Sequence, residues 1–245
     1  MKKGKIAIIL GVIAIVLLIG VVSYAILTTV DDERINEDSL AFKAEYEYHN
    51  NKPDEDNPDR TFKEIIIPEY NPFRYTDFDE IIDLLENNGT GIIYLGFPTC
   101  PWCRNLVPVL TEIAIDFGIS EILYRNIFED RNVLELQTRI NSRGREVTEI
   151  IETRAGHPGY YRLMELLGDL SSPYVGLDDD SIRRIYAPTI IFIKDGEVVN
   201  YFGNLPYFLG REAEEDQGGW QVLNEDEIQE LTEFFKDYFT RLFGN

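Results

Sequence analysis

The only two cysteines of the chain lie three positions apart, in the segment Cys100-Pro101-Trp102-Cys103. At this spacing two sulfur atoms can close a small disulfide loop at the start of a helix, and thiols placed in this way exchange electrons with other thiols. No further cysteine remains to form a structural bridge or an ordinary metal site with them. The pair therefore predicts thiol–disulfide redox chemistry.

Two other interpretations of the cysteine pair compete with this one. A purely structural disulfide across a two-residue gap would close a loop too short to restrain much of the chain. A zinc site would need more ligands, because zinc usually takes four, and the only histidines, His49 and His157, are distant in sequence. Redox chemistry is favoured over both because the pair lies between a strand and a helix. We expect no metal and no cofactor beyond the redox-active Cys100–Cys103 disulfide.

The elements on either side of the pair explain how it would work. Residues 91–97 form an almost continuous apolar run, as a central buried strand requires, and residues 102–117 repeat apolar side chains on one helical face. Proline is well tolerated at the first position of a helix, and the positive end of the helix dipole favours a thiolate. We therefore predict that Cys100 is the nucleophile. Cys103, one turn further in, is expected to be more buried and to resolve the mixed disulfide.

The remaining order of elements predicts an α/β fold with a central mixed sheet flanked by helices. Short runs rich in β-branched and aromatic residues indicate strands, and apolar residues at helical intervals indicate helices. The predicted strands are 62–67, 121–128, 189–193 and 198–202, the last two joined by a tight turn, and the predicted helices are 77–87 and 225–243.

Residues 129–186 interrupt this order and are predicted to form a mainly helical insertion. Helix-like patterns cover 132–153, with a break near Gly144, and 160–170. We interpret its arginines as a solvated helical surface, the alternative being a docking face for an acidic partner or for the acidic stalk described below. These arginines are Arg131, Arg139, Arg143, Arg145, Arg154, Arg162, Arg183 and Arg184.

The charge and the first residues predict where the protein acts. A net charge of −21 repels polyanions, so nucleic acid is excluded as a partner. Residues 1–5 are basic, residues 6–28 form an apolar run, and acids follow. As a helix this run would extend about 33 Å, enough to cross the hydrocarbon layer. We predict a cytoplasmic tail at 1–5, a single transmembrane anchor at 6–28, and the rest of the chain outside the cell membrane.

Two further assignments accompany the anchor. A cleaved signal peptide is the alternative to it, although the apolar part of such a peptide is normally only about 7–15 residues long. Residues 29–60 are polar and mostly acidic and are interpreted as a solvated stalk, with 39–49 as a segment that could instead form a short helix packed on the domain.

Two segments together carry a resemblance to a known family. Residues 97–103 (FPTCPWC) and residues 187–189 (APT), which lead into a strand, a turn, a strand and a last helix, resemble the thioredoxin superfamily. The chain looks most like the membrane-anchored thioredoxin-like proteins of Gram-positive bacteria, including the bacteriocin transport accessory proteins. The resemblance covers about 62–128 and 186–243, and it implies a thioredoxin-like fold for the domain 61–245.

The resemblance also implies how substrate is bound. It places a cis peptide bond before Pro188, beside the disulfide, which exposes the backbone of Ala187 to an extended substrate chain. A trans proline that opens a strand is the alternative. Pro101 and Trp102, between the cysteines, complete the expected substrate-binding set. Thioredoxins carry a buried aspartate six residues before the first cysteine, where this chain has Tyr94. The Pro-Trp pair has no titratable group, so the direction of electron flow stays open.

Two functions follow as hypotheses. In the first, the protein is a membrane-anchored thiol–disulfide oxidoreductase that acts outside the cytoplasm on cysteine-containing secreted or surface proteins and peptides. A membrane redox partner or an export system would complete its cycle. In the second, the protein is a non-catalytic accessory or binding module that assists the export of a secreted peptide.

Overall fold

A computed structural model describes residues 16, 18–20, 35–211 and 218–244. Within these ranges no helix has both the length and the apolar character needed to cross a bilayer. The predicted tail 1–5 and most of the predicted anchor 6–28 lie outside the described residues. The anchor therefore stays a prediction.

The described part of the chain alternates strands and helices. The strands are β1 (Phe73–Tyr75), β2 (Gly91–Gly96), β3 (Ile122–Asn126), β4 (Val133–Ile140), β5 (Glu146–Arg154), β6 (Ser172–Pro173), β7 (Arg183–Arg184), β8 (Thr189–Lys194) and β9 (Glu197–Phe202). The α-helices are α1 (Glu37–Glu47), α2 (Phe78–Glu86), α3 (Pro101–Phe117), α4 (Pro158–Leu167), α5 (Leu205–Phe208) and α6 (Glu225–Phe243).

Five of these strands form the central mixed sheet, in the order β1-β3-β2-β8-β9. Strands β1, β3 and β2 are parallel, whereas β8 is antiparallel to β2, and β9 is antiparallel to β8. Side chains alternate across the sheet, so Tyr94 packs in one core with α1, α3 and α6, while Ile93 packs in a second core with α2 and α4. The predicted mixed α/β sheet flanked by helices is confirmed.

The helix ends and the hairpin turn carry residues with clear local roles, and the predicted tight turn is confirmed. The side chain of Asp77 caps α2, Gly118 ends α3 with a φ of 74°, and Asn224 caps α6 in a capping box. The hairpin between β8 and β9 turns at Asp195 and Gly196, whose φ angles are 52° and 81°. Both central residues of this turn adopt the left-handed conformation that two-residue hairpins use.

The predicted strand at 62–67 is wrong, and the first strand of the sheet is β1. Residues 62–67 belong to no strand. Phe62 bonds to the backbone of Asn51 and Lys52, and the backbone groups of Lys63, Ile65 and Ile67 bond to side chains. The amide of Ile65 donates to Oδ1 of Asn50 at 3.1 Å, and the amide of Ile67 donates to Oε1 of Glu47 at 2.8 Å. These side-chain acceptors come from α1 and the loop that follows it. The sequence of residues 62–67 by itself gives no sign of these distant partners.

The stalk predicted at 29–60 is also wrong where the structure describes it, and the alternative of a packed helix at 39–49 is confirmed. Helix α1 places Phe42 and Tyr46, both fully buried, in the core beside Tyr94. The ring of Phe42 stacks on Phe73 with centroids 3.9 Å apart. The aromatic pair at spacing i, i+4 gives this acidic segment one apolar face, which is enough to dock it on the sheet.

The insertion 129–186 is not mainly helical, because the predicted helix at 132–153 is a β-hairpin of β4 and β5. The expected break is its turn, where Gly144 has a φ of 72°. Cross-strand pairs join Thr138 to Thr148 and Arg139 to Glu149. Residues of β-branched type opposite one another favour a strand pair over a helix. The remainder of the insertion contains α4, as predicted near 160–170, and the short ladder of β6 and β7.

The role of α1 in the core can be tested by a pair of substitutions in the same helix. Replacing Phe42 with alanine should lower the free energy of unfolding by about 3–5 kcal/mol, since it removes a fully buried ring and leaves a cavity. Leu40, with 43% of its surface exposed, is the control, and Leu40→Ala should change the free energy by less than about 0.5 kcal/mol. Urea denaturation measures both, and equal small losses would mean that α1 does not stabilise the domain.

Candidate functional site

The two cysteines lie where β2 leads into α3. Cys100 is the N-cap of the helix, and its Sγ accepts a hydrogen bond from the backbone N–H of Cys103 at 3.3 Å. Pro101 occupies the first turn, where a missing N–H costs nothing. Both thiols are free, without a disulfide. The helix N-terminus thus directs its partial positive charge at the Cys100 sulfur.

The cis peptide bond and the cysteines meet at one place. The bond between Ala187 and Pro188 is cis, and the Cys100 thiol donates to the Ala187 carbonyl oxygen at 3.4 Å, across 87 residues of sequence. Pro188 is itself buried. The structure therefore brings together four of the six site residues named from sequence, which are Cys100, Cys103, Ala187 and Pro188.

An apolar groove of about 450 Å³ opens beside this point. Trp102, Ala187 and Pro188 line it, together with residues of the β6 segment and of α5. Cys100 keeps 5% of its surface exposed and Cys103 none, so the outer cysteine is the accessible one. The groove is wide enough for part of an extended chain, but access to Cys100 itself is narrow.

The two residues between the cysteines have different surroundings. Trp102 is half-buried and lies against the segment after β9: a side-chain carbon on Gly219 would come within 2.9 Å of its ring, and the Arg211 guanidinium lies 5.6 Å from the ring centroid. Pro101 lines a separate small cleft with Arg104 and Trp220. Of the four expected substrate contacts, Trp102, Ala187 and Pro188 border the groove and Pro101 does not.

The environment separates the pKa values of the two thiols. Burial opposes the charged form of Cys100, but the hydrogen bonds from Cys103 and the positive charge of Arg131 outweigh it, so the pKa of Cys100 lies below its ordinary value. Burial and the charge of Cys100 raise the pKa of Cys103 far above its ordinary value. The outer sulfur is therefore the one that loses its proton more readily, and the inner sulfur the one that keeps it to higher pH.

A buried tyrosine pair reaches the inner thiol. The hydroxyl groups of Tyr46 and Tyr94 are 2.8 Å apart, and the Tyr94 hydroxyl lowers the pKa of Cys103 against the effect of burial. Tyr94 also stacks on Tyr124, its partner in β3, with centroids 5.6 Å apart. Tyr94, six residues before Cys100, thus brings a hydroxyl group to the inner thiol. Tyr46 was missed because it lies in the segment interpreted as a stalk.

A buried arginine braces the same helix start and was also missed. Arg104, 1% exposed, donates from Nη1 to the carbonyl oxygens of Tyr46 and Pro98, and from Nη2 to Lys63 O and Asn50 Oδ1. Its guanidinium is thus held by neutral oxygens alone. The sequence signal was weak, since an arginine after Cys103 in an amphipathic helix suggests an exposed residue.

A second cleft and His157 lie away from the cysteines, and neither combines reactive side chains as the cysteine site does. A cleft of about 490 Å³ lies at the opposite end of β2, near Gly91 and Phe243, away from the cysteines. His157 caps α4, its Nδ1 accepting from the Gly159 amide at 3.0 Å, and stacks on Phe78. Within the described ranges no cluster of three or more His, Cys, Asp or Glu residues could hold a metal ion.

The two thiols should differ in reactivity. Because the pKa of Cys100 is lowered and that of Cys103 is raised, iodoacetamide should label Cys100 first, with a pH midpoint below that of an ordinary cysteine. Tandem mass spectrometry of the reduced protein locates the label. In a Cys100→Ser variant, Cys103 should stay unlabelled until the protein is denatured, and rapid labelling of native Cys103 would contradict the assignment.

The Tyr94 hydroxyl can be tested by its removal. Tyr94→Phe should raise the pKa of Cys103 further, because the thiolate loses a hydrogen-bond donor, and attack by Cys103 on a mixed disulfide should slow by about tenfold or more at fixed pH. The measurement is the pH dependence of thiol release from a preformed mixed disulfide on Cys100. Tyr124→Phe removes a hydroxyl from the same cluster and serves as the control; equal slowing in both variants would indicate general damage to the core.

We compared the chain with protein-family models and with curated protein sequences. No protein-family model matches it, and no curated protein sequence matches it either. What the protein does is therefore inferred from the surroundings of Cys100, Cys103, Ala187 and Pro188.

Proposed function

We propose that this protein is a thiol–disulfide oxidoreductase built on a thioredoxin-like fold. The observation that carries the proposal is the position of the Cys100 thiol, which lies at a helix N-terminus with a lowered pKa, within 3.4 Å of the Ala187 carbonyl oxygen. A structural cysteine needs none of these features. A thiol that reacts with other thiols uses the first two, because the thiolate is the nucleophile, and the third places the reacting sulfur next to backbone with which an extended substrate chain can pair.

In the reducing direction the cycle needs two exchanges. The Cys100 thiolate attacks one sulfur of a substrate disulfide, forms a mixed disulfide and releases the other sulfur as a thiolate that takes a proton from water. Cys103 then loses its proton and attacks Sγ of Cys100, which releases the second substrate thiol and leaves the Cys100–Cys103 disulfide. The same steps run backwards when the protein oxidises a dithiol substrate.

The separated pKa values suit this order of events. Cys100, the thiol that loses its proton more readily, begins the cycle, and Cys103, which keeps its proton to higher pH, does not compete with it for substrate. In the mixed disulfide Cys100 no longer carries negative charge, so one of the causes that raise the pKa of Cys103 is removed. The Tyr94 hydroxyl then remains to stabilise the new thiolate.

The proposal also includes where the reaction takes place. The apolar run 6–28, basic before and acidic after, supports a single-pass anchor in the cell membrane with the domain outside the cytoplasm. Disulfides persist in that compartment. The substrates proposed are therefore cysteine-containing secreted or surface proteins and peptides, with a membrane redox partner or an export system to regenerate the pair.

The proposal is tested by trapping the mixed disulfide. In a Cys103→Ser variant the second exchange cannot occur, so a substrate captured by Cys100 should stay attached as a band of higher mass that disappears on reduction. Cys100→Ser is the matched control and should trap nothing. If Cys103→Ser traps no adduct, and the wild-type protein neither reduces insulin nor oxidises a dithiol peptide, the alternative of a non-catalytic accessory module for peptide export is favoured.

A further inference from the structure

Four of the eight arginines of the insertion are neutralised by acids of this chain. In so acidic a protein, with 44 Asp and Glu residues against 23 Lys and Arg, partners are abundant. The pairs are Arg139 with Glu149, Arg154 with Glu129, Arg162 with Glu86 and Glu165, and Arg183 with Asp169. Within the described residues, Arg131 and Arg184 have no carboxylate partner although both are half-buried. Arg143 and Arg145 also lack one, but they lie at the exposed hairpin turn.

Arg131 lies beside the outer cysteine. Its guanidinium is 4.7 Å from the ring centroid of Phe97, whose carbonyl oxygen accepts a hydrogen bond from the Cys100 amide at 3.2 Å. The Nε atom of Arg131 is buried and has no hydrogen-bond partner in the described part of the chain. The Phe97 ring contacts one face of the guanidinium and accepts no hydrogen bond from the N–H groups at its edge. These N–H groups are therefore available to bind a ligand.

Arg184 approaches the same place from β7. Its guanidinium lies 4.6 Å from the ring centroid of Tyr174, and its Nη1 donates to the Tyr174 hydroxyl at 2.6 Å, while its buried Nε has no partner among the described residues. In the ladder Arg184 pairs with Ser172, which lines the apolar groove. The guanidinium also lies 5.8 Å from Tyr186, the residue before Ala187. Two neighbours of Arg184, Ser172 and Tyr186, therefore line the groove.

The two arginines are also close enough to repel each other. Burial and then the charge of Arg184 lower the pKa of Arg131. Like charges held together in partly buried positions are unfavourable unless an anion joins them. Because a guanidinium presents its donors as a planar fork that fits both oxygens of a carboxylate, a carboxylate is the anion that such a pair suits best.

We propose that Arg131 and Arg184 bind the carboxylate of an Asp or Glu residue that lies next to the reactive cysteine in a substrate polypeptide. This inference rests on the proposed oxidoreductase function and names the class of substrate. A polypeptide is favoured over a small anion because Tyr186, whose ring lies near Arg184, lines the groove of about 450 Å³, which extends along Ala187, Pro188 and Leu205. Its apolar walls would hold the neighbouring residues while the arginines select the acidic one.

The preference for an acidic residue is measured with three disulfide-containing peptides. They are identical except for the residue next to the reactive cysteine, which is Glu, Gln or Lys. The reduced full-length protein should react about tenfold faster with the Glu peptide than with the Gln peptide, and slowest with the Lys peptide. In the Arg131→Gln, Arg184→Gln double variant the Glu-to-Gln rate ratio should fall to about one. The ratio is the readout because any change in the pKa of Cys100 affects both peptides alike.

Arg143→Gln, at the exposed hairpin turn, removes one charge from the same insertion and should leave the ratio as in the wild type. Circular dichroism establishes that each variant is folded, and Arg131→Lys replaces the double variant if that one does not fold. A wild-type ratio near one, or a ratio that survives in the double variant, would overturn the carboxylate site and leave the oxidoreductase function standing.

Binding separates this inference from the proposed function. The same peptides with serine in place of cysteine cannot react, and their affinity is followed by tryptophan fluorescence or calorimetry. If no disulfide peptide reacts but the Glu peptide binds more tightly than the Gln peptide in an arginine-dependent way, the redox function fails and the carboxylate site stands. If the arginine substitutions leave both affinities unchanged, the site is wrong.

Discussion

The register between β2 and β8 is the constraint on which the rest of the site depends. Leu95 of β2 pairs with Thr189 of β8, which places the loop that leads to Cys100 next to the peptide bond between Ala187 and Pro188. The contact between the Cys100 thiol and the Ala187 carbonyl follows from that pairing. A slip of one residue would turn Ile93 and Tyr94 to the wrong cores, so the two buried faces of the sheet keep the register in place.

The same register decides what surrounds the inner thiol. Tyr94 and Tyr124 are partners in adjacent strands, and Tyr75 pairs with Tyr124 on the far side, so three aromatic rings line one face of the sheet. Helix α1 closes this face and brings the Tyr46 hydroxyl to Tyr94. Cys103 is therefore fully buried, but the Tyr94 hydroxyl remains close enough to influence its pKa. A segment that resembled a stalk is in fact part of the environment that sets the pKa of Cys103.

The parts of the fold that sequence could predict are those determined by local signals. The apolar run of β2, the caps at Asp77 and Asn224, and the tight turn at Asp195 and Gly196 all act over a few residues. The parts that could not be predicted depend on distant partners. Residues 62–67 read as a strand, but side chains of α1 and its following loop take their backbone bonds, and the hairpin of β4 and β5 was hidden by apolar residues that also fit a helical period.

The site divides in the same way. The types and spacing of Cys100 and Cys103 could be found in sequence, and so could Ala187 and Pro188 through the resemblance. The residues that surround the sulfurs could not, because tertiary packing alone brings Tyr46, Arg104 and Arg131 to the helix start. Nothing local distinguishes Arg131 from the paired arginines of the insertion. In the described structure it differs from them in having no ion pair and in lying beside Phe97 and Cys100.

Positively charged side chains lie around the start of helix α3, which carries the cysteines. Arg104 is held by neutral oxygens, Lys63 donates to Oδ1 of Asn105, and the pKa of Lys63 falls to about 8 through burial and the charge of Arg104. A carboxylate of this chain paired with Arg131 would occupy the guanidinium donors that the proposed substrate carboxylate needs. Although the chain has a net charge of −21, neither Arg131 nor Arg184 forms an ion pair within the described residues, so their positive charge remains available to an incoming anion.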